Sequence, residues 1–237
     1  MSVVFDCSSD IAMFRKPYTT TSSVSFAFPP PTAVAGLIGS IVGLDNNASE
    51  NASNAAYWSA FSGTSVAISI KKSVQWLRAA INFWNTKDPQ KSPHIQVKHQ
   101  FVFHPEYRIF VKNGIESRLR EKLEKSSFVY TPYLGVAYAL AEVSYVGYFE
   151  DFPISEKVIS VGTVLPFCDD VQLDFAAKLT RVFKEIVPFK LSEDRAFLES
   201  KTVLYSDIGD NKLILKNRGS VNVTRSMDEF VAWFPEW

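Results

Sequence analysis

Cysteine is nearly absent from this chain. Cys7 and Cys168 are the two present, with no second metal ligand at short spacing around either, which excludes a disulfide framework and a short-spaced zinc motif. Both fit inert core or edge thiols. An excess of charge of one sign is also missing: 25 Lys and Arg stand against 25 Asp and Glu, so a whole-surface, nonspecific nucleic-acid binder is excluded. Long apolar runs are lacking. The longest nearly uncharged one, Val34 to Leu44, falls well short of the ~20 residues that cross a bilayer, and no basic segment precedes a hydrophobic stretch at the start of the chain. The expectation is a cytoplasmic protein without membrane contact. No Walker-type phosphate loop, GxSxG elbow or HExxH is found, and no cofactor is implied. Asp169, Asp170 and Asp174 could suggest a magnesium site, but their spacing before Phe175 fits a loop and a helix N-terminus better, so no metal is expected.

What the chain does have is hydrophobic and aromatic content, 46% and 14% over 237 residues, enough to bury the core of one elaborated domain or of one domain plus a small appendage. Its charge is unevenly spread. Residues 71–125 carry twelve Lys and Arg against five Asp and Glu, while 126–237 carry eleven against sixteen. A basic middle offers phosphate a local footprint and leaves acidic surface for protein partners.

The stretch from Phe14 to Leu44 is the most distinctive. Arg15, Lys16 and Tyr18 set cationic and π-faced side chains beside Thr19, Thr20, Thr21, Ser22 and Ser23, whose hydroxyls suit phosphate and sugar, so this is a candidate RNA-holding strip. Pro29-Pro30-Pro31 then opens a helix over Pro31 to Leu44, proline's fixed φ suiting the first turn. At 100° per residue Val34, Leu37, Ile38, Ile41 and Leu44 form a core-facing stripe. Gly36, Gly39 and Gly43 fall on the other side. Each costs roughly 1 kcal/mol of helix propensity against alanine, so another helix, a subunit or a nucleic acid is expected close to that face.

Period-two alternation follows over Ser65 to Ser73, continues through Val74, Trp76 and Leu77, and returns over Ile95 to Tyr107 and Tyr107 to Val111. The polar, proline-bearing connection Asn82 to Pro93 makes this a projecting hairpin with a charged tip. Gly114 to Lys125 reads as a short amphipathic helix: Asn113 and Glu116 resemble a capping box, and Glu116/Arg120 and Glu121/Lys125 are spaced to pair. Its charges serve solvation, with Arg118 and Lys122 as exceptions. The order strand (Val3 to Cys7), helix, strands, helix (Ile115 to Lys125), strand (Glu142 to Phe149) is the βαββαβ sequence of a ferredoxin-like, RRM-like fold. The expected class is α+β: a ferredoxin-like core over residues 1–152 with a thumb-like hairpin inserted at about 64–112, and a β-rich C-terminal extension over 153–237. Further elements are expected at Asn51 to Phe61 (helix), Val158 to Val161, Lys201 to Tyr205, Lys212 to Leu215 and Ser220 to Val223 (strands), and Phe175 to Ile186 (helix). The closing Trp233-Phe234-Pro235-Glu236-Trp237 suits either a docking surface or a tail folded onto its own core.

The pattern TTSSVSFAFPPPTAVAGLIGSIVGL resembles the N-terminal signature of the fifth Cas family, subunits of the CRISPR surveillance complex Cascade. Tyr130-Thr131-Pro132-Tyr133-Leu134-Gly135, with Ala141 to Gly147 after it, looks like that family's proline-tyrosine-leucine-glycine segment and following strand. The resemblance covers residues 1 to about 150. It implies a noncatalytic subunit that holds the 5′ handle of the crRNA, contacts the backbone and large subunits, and meets target DNA indirectly, since guide pairing reads the sequence. The hairpin would wedge into the guide, with Trp76, Arg78, Lys98, His99 and Gln100 placed to serve it. Phosphates would be held by Arg15, Lys16, Arg78, Lys98 and Arg108, and bases stacked on Tyr18, Phe26 or Trp76. One subtype cleaves precursor RNA with a tyrosine and a lysine-histidine pair shortly before the proline-tyrosine-leucine-glycine block. Here Lys98-His99 lies more than thirty residues before that block, so the motif does not transfer and no catalytic residue is assigned. A metal-independent endoribonuclease for repeat RNA and a general single-stranded RNA-binding module remain the alternatives.

Overall fold

The computed structural model describes residues 1–46, 55–156, 158–176 and 181–237. The architecture is mixed α and β, rich in strand, with two α-helices among the described residues. Its centre is a four-stranded sheet formed by β1 (Ser2–Ser8), β5 (Ser65–Ile70), β8 (Glu106–Lys112) and β9 (Glu142–Phe149), ordered β5-β8-β1-β9 and antiparallel throughout. Between β1 and β5 lie the short strands β2 (Ile11–Ala12), β3 (Phe14–Arg15) and β4 (Ser25–Phe26), then α1 (Pro31–Val42). β6 (Trp76–Trp84) and β7 (His94–Phe103) form a long hairpin between β5 and β8, and α2 (Glu116–Glu124) joins β8 to β9.

Alternation along the central strands sends every second side chain to each face. Val3, Phe5, Val66, Ile68, Ile109 and Val111 point to the helices and share one buried cluster with Val34, Leu37, Ile38, Ile41, Leu119 and Leu123. The predicted stripe on α1 is therefore the core face. Full burial of such a side chain contributes about 1.5–3 kcal/mol, so truncating Ile38 to alanine costs about 2–5 kcal/mol. α1 opens on Pro31 after Pro30 and ends at Gly43, whose φ of 76° closes a left-handed cap with its N–H on the Gly39 carbonyl at 2.9 Å. At α2, Glu116 accepts from the Asn113 N–H at 2.8 Å, one half of the expected capping box, while the Asn113 side chain turns to Glu236. The pair Glu121/Lys125 forms at 2.8 Å. Arg120 pairs with Glu124, not Glu116, which instead accepts from the Tyr148 hydroxyl.

The remaining strands are β10 (Asp151–Pro153), β11 (Ile159–Val161), β12 (Leu165–Pro166), β13 (Gln172–Leu173), β14 (Phe183–Leu191), β15 (Phe197–Tyr205), β16 (Leu213–Asn217), β17 (Val223–Ser226) and β18 (Glu229–Ala232). They build a six-stranded sheet, β10-β17-β18-β11-β16-β13, and a three-stranded one, β12-β15-β14. Val231 and Trp233 pack on Val4, Ala67 and Phe110, so the central sheet is covered on the face away from the helices too. Val187, Phe189, Val203 and Tyr205 of β14 and β15 join the helix-side cluster. The closing segment folds back on its own core: the Phe234 and Trp237 N–H groups donate to Val66 and Thr64 carbonyls along β5, and the Trp237 indole donates to Phe189. That pairing also covers an open sheet edge.

Three expectations are corrected. The predicted helix over Phe175 to Ile186 partly lies outside the described residues, but Phe183 to Ile186 is strand β14, where Val187 and Phe189 alternate inward and Pro188 sits at a register irregularity that tolerates its missing N–H. The helix over Asn51 to Phe61 is a 3-10 turn at Ala56–Phe61, residues 51–54 lying outside the description. The strand over Ser220 to Val223 starts at Val223, because Gly219, with φ 58°, and Ser220 form a turn closed by the Val221 N–H donating to the Arg218 carbonyl. Among the described residues no helix is long and apolar enough to cross a membrane.

Candidate nucleic-acid interface

The hairpin is two-faced, and register decides which residues share a face. Arg78 lies opposite Gln100, Ala80 opposite Lys98, Asn82 opposite Gln96 and Trp76 opposite Val102, so Trp76, Arg78, Lys98 and Gln100 stand on one side. Arg78 and Lys98 are exposed and Trp76 is 42% exposed. The other side carries Leu77, Ala79, Ile81 and Phe83 against Phe101, His99, Val97 and Ile95. The first side offers cations, amides and a ring to a ribose-phosphate strand, the second an apolar surface.

The early strip runs alongside. Arg15 pairs with Ser25 in the β3–β4 ribbon, and the Lys16 N–H donates to Val24 at 2.8 Å. Ser23 then docks on the edge of β7, donating to the Lys98 carbonyl at 2.9 Å and accepting from the Gln100 N–H at 2.8 Å. Arg15 and Lys98 are thus linked by two consecutive strand pairings. The turn between is held by its own groups: the Thr19 hydroxyl donates to the Lys16 carbonyl, and Arg15 donates to the Thr19 carbonyl at 3.0 Å. Tyr18, Thr20 and Arg15 are exposed, Tyr18 by 67%, and Thr19 and Ser22 are half-buried.

Four predicted contacts are corrected. Phe26 is 1% exposed, its ring packed in the core, so it presents no face to a base. The Arg108 guanidinium is clamped by Asp6 in register on β1, a bond that raises its pKa, and it lies on the sheet face covered by the C-terminal strands. Lys16 is ion-paired with Glu185 of β14, both side chains largely buried, with its ammonium 5.2 Å from the Phe26 ring centroid. His99 is buried and stacked on Phe101 at 5.7 Å with Nδ1 near the Val97 carbonyl, so it points away from Lys98. Phe26 and His99 follow from strand alternation. The two ion pairs join residues 102 and 169 positions apart and leave no local trace in sequence.

The glycine face of α1 is unlike what tight packing would give. Gly43 closes the cap with Val129 against it, but among the described residues a Cβ at Gly36 meets nothing within 4 Å. That side opens into a cavity of about 470 Å³ lined by Gly36, Gly39, Tyr57, Tyr130 and Tyr133 among others. In sequence, Tyr130 and Tyr133 mark the proline-tyrosine-leucine-glycine segment and are not assigned as site residues; the structure leaves Tyr133 exposed between buried Pro132 and Leu134. Burial raises the Tyr57 pKa, against the opposing field of Arg195.

This strand-rich fold is shared by solved structures of CRISPR proteins. Similar solved structures are a CRISPR protein from Archaeoglobus fulgidus (TM-score 0.57, 14% identity, 98% of each chain covered) and a chain of a CRISPR RNA-guided surveillance complex (TM-score 0.51, 9% identity, 90% of this chain and 91% of that one). A third is a chain of the Type III-B Cmr-beta complex bound to cognate target RNA and AMPPnP (TM-score 0.51, 12% identity, 90% and 86% covered). At these identities the likeness is one of fold. No curated protein matched the chain in sequence. The profile described as CRISPR-associated protein (Cas_Cas5) matches residues 2–147, and the chain belongs to that family.

Proposed function

We propose that this chain is a noncatalytic, cytoplasmic subunit of a type I CRISPR surveillance complex that binds and caps the 5′ handle of the crRNA and scaffolds the backbone and large subunits. One observation carries the reading: the basic hairpin face of Arg78, Lys98, Gln100 and Trp76 adjoins the Arg15–Ser25 ribbon through the Ser23 bridge to β7. A single strand lying there meets cations for phosphate, hydroxyls for ribose, and the Tyr18 and Trp76 rings for unstacked bases. Strand order β9-β1-β8-β5 with α1 and α2 on one face supports a ferredoxin-like core over residues 1–152 carrying the hairpin, with 153–237 as its extension. Because that extension covers the second face of the sheet, RNA is held by the appendages. Opposite orientations of Lys98 and His99 count against a paired catalytic role. Purified protein incubated with labelled repeat RNA in chelator is expected to retain it uncut, with affinity falling as salt rises. Cleavage at one position, lost in His99→Ala, would replace this reading with the endoribonuclease one, and equal binding of unrelated single strands would replace it with a general RNA-binding module.

A further inference from the structure

The segment from Tyr130 to Leu140 connects two places that the chain otherwise keeps apart. At one end the Tyr130 N–H donates to the Ser40 carbonyl at 2.9 Å, fastening the segment beside the glycine face of α1. Farther along, Leu134 accepts from the Met13 N–H at 3.2 Å, two residues before Arg15, and Tyr138 meets Phe101 at the base of the hairpin edge-on at 6.4 Å. Gly135, with φ 84°, lets the segment lie against Met13, where a Cβ would come within 2.2 Å of that carbonyl oxygen. Along this path Tyr138, Tyr133 and Tyr130 are 58%, 46% and 50% exposed. The path ends in the 470 Å³ cavity, lined by Gly36, Gly39 and Ser40 of α1 together with Tyr57, Tyr130 and Tyr133.

We infer that this cavity takes one unstacked nucleobase of the bound RNA, delivered along the tyrosine-bearing segment from the hairpin. The inference rests on the reading of the chain as a single-strand RNA binder. The occupant follows from continuity and chemistry: the same loop touches the ribbon and the hairpin base, tyrosine rings offer π-faces to any base, and Gly36 and Gly39 leave two points where a flat ring can approach the helix backbone. The volume exceeds one base and admits its ribose as well.

Gly36→Leu tests this directly. The first added carbon meets no described residue within 4 Å and the change replaces glycine in a helix, so the variant is expected to melt no lower than the parent. The probe is a short single-stranded oligouridine carrying 2-aminopurine at one position per oligonucleotide, followed by fluorescence, with matching abasic versions. At one position the parent protein is expected to change the 2-aminopurine signal, and an abasic nucleotide there weakens binding by about five- to hundredfold, the span of base–aromatic stacking. Gly36→Leu should lose both the signal and the abasic penalty, and Tyr133→Ala should reduce both. Equal signals and affinities in parent and Gly36→Leu, or an abasic penalty that persists in Gly36→Leu, would overturn the pocket while leaving the RNA-binding reading standing. An aromatic side chain of a partner protein would then be the occupant. Failure of the parent to bind any oligonucleotide at low salt would remove both.

Discussion

Asp6 and Arg108 face each other across β1 and β8, the carboxylate accepting from Nε at 2.7 Å and from the guanidinium's second arm at 2.8 Å. The pair is 24% and 16% exposed and lies under the C-terminal strands, so its task is to satisfy two charges inside a packed layer.

Removing one partner leaves the other charge unmatched. Asp6→Ala is expected to cost about 1–3 kcal/mol, below the range for fully buried pairs because water still reaches this one. At roughly 2–4 °C per kcal/mol for a chain of this size, the melting temperature falls by several degrees. Arg108→Ala should do likewise while leaving the salt dependence of RNA binding unchanged. A lower salt slope in a folded Arg108→Ala would put this side chain back on the phosphate path.

The candidate cations divide by their partners. Arg15, Arg78 and Lys98 present exposed side chains, whereas Lys16 is tied to Glu185. Arg15→Ala, Arg78→Ala and Lys98→Ala are each expected to lower the slope of log affinity against log salt by about 0.7, the single-strand value per phosphate. Lys16→Ala should instead loosen the contact between the ribbon and β14, lowering thermal stability without that change of slope. Trp76→Ala should weaken binding by about 1–3 kcal/mol with the slope intact. Titrations across a salt series check all five.

Alkaline pH should weaken the fold through two tyrosines. Tyr107 is buried with its hydroxyl donating to the Ala27 carbonyl at 2.8 Å, and Tyr205 donates to Glu185 at 3.2 Å; burial raises both pKa values. A folded-state pKa above the unfolded one means that the unfolded chain releases these protons first. Their contribution is therefore complete below about pH 10, the ordinary tyrosine value, and declines as pH rises toward the folded pKa. Denaturant midpoints measured from pH 8 upward should fall beyond about pH 10, and Tyr107→Phe should make that fall shallower.

Local chemistry made much of the fold legible. Three prolines marked the start of α1, alternation marked β5, β8 and the hairpin, and i+4 spacing marked α2, whereas the apolar stripe carries the predicted helix to Leu44 and the left-handed Gly43 ends it at Val42. Tertiary register was not legible. Whether Arg108 met solvent or Asp6 depended on a partner 102 residues away, and Lys16 found Glu185 only once β14 existed as a strand. The stretch after Phe175 misled because Phe183 to Ile186 mixes charged and apolar residues in a way that suits either period, and only the inward alternation of Val187 and Phe189 decides it. In the candidate site, residue type alone nominates Arg15, Tyr18, Trp76, Arg78 and Lys98, which the structure leaves exposed, while the discrimination of His99 from Lys98 needed the pairing of β6 with β7.

With Val4, Ala67 and Phe110 packed beneath Val231 and Trp233, and the opposite face packed on the two helices, both faces of the central sheet are committed to the interior. Under the RNA-binding reading proposed above, substitutions of the exposed Arg15, Arg78 and Lys98 change the contact surface at little cost to folding, whereas Lys16 and Phe26 of the same ribbon belong to the packed part. Side chains that are free to vary are thereby separated from those that hold the interior.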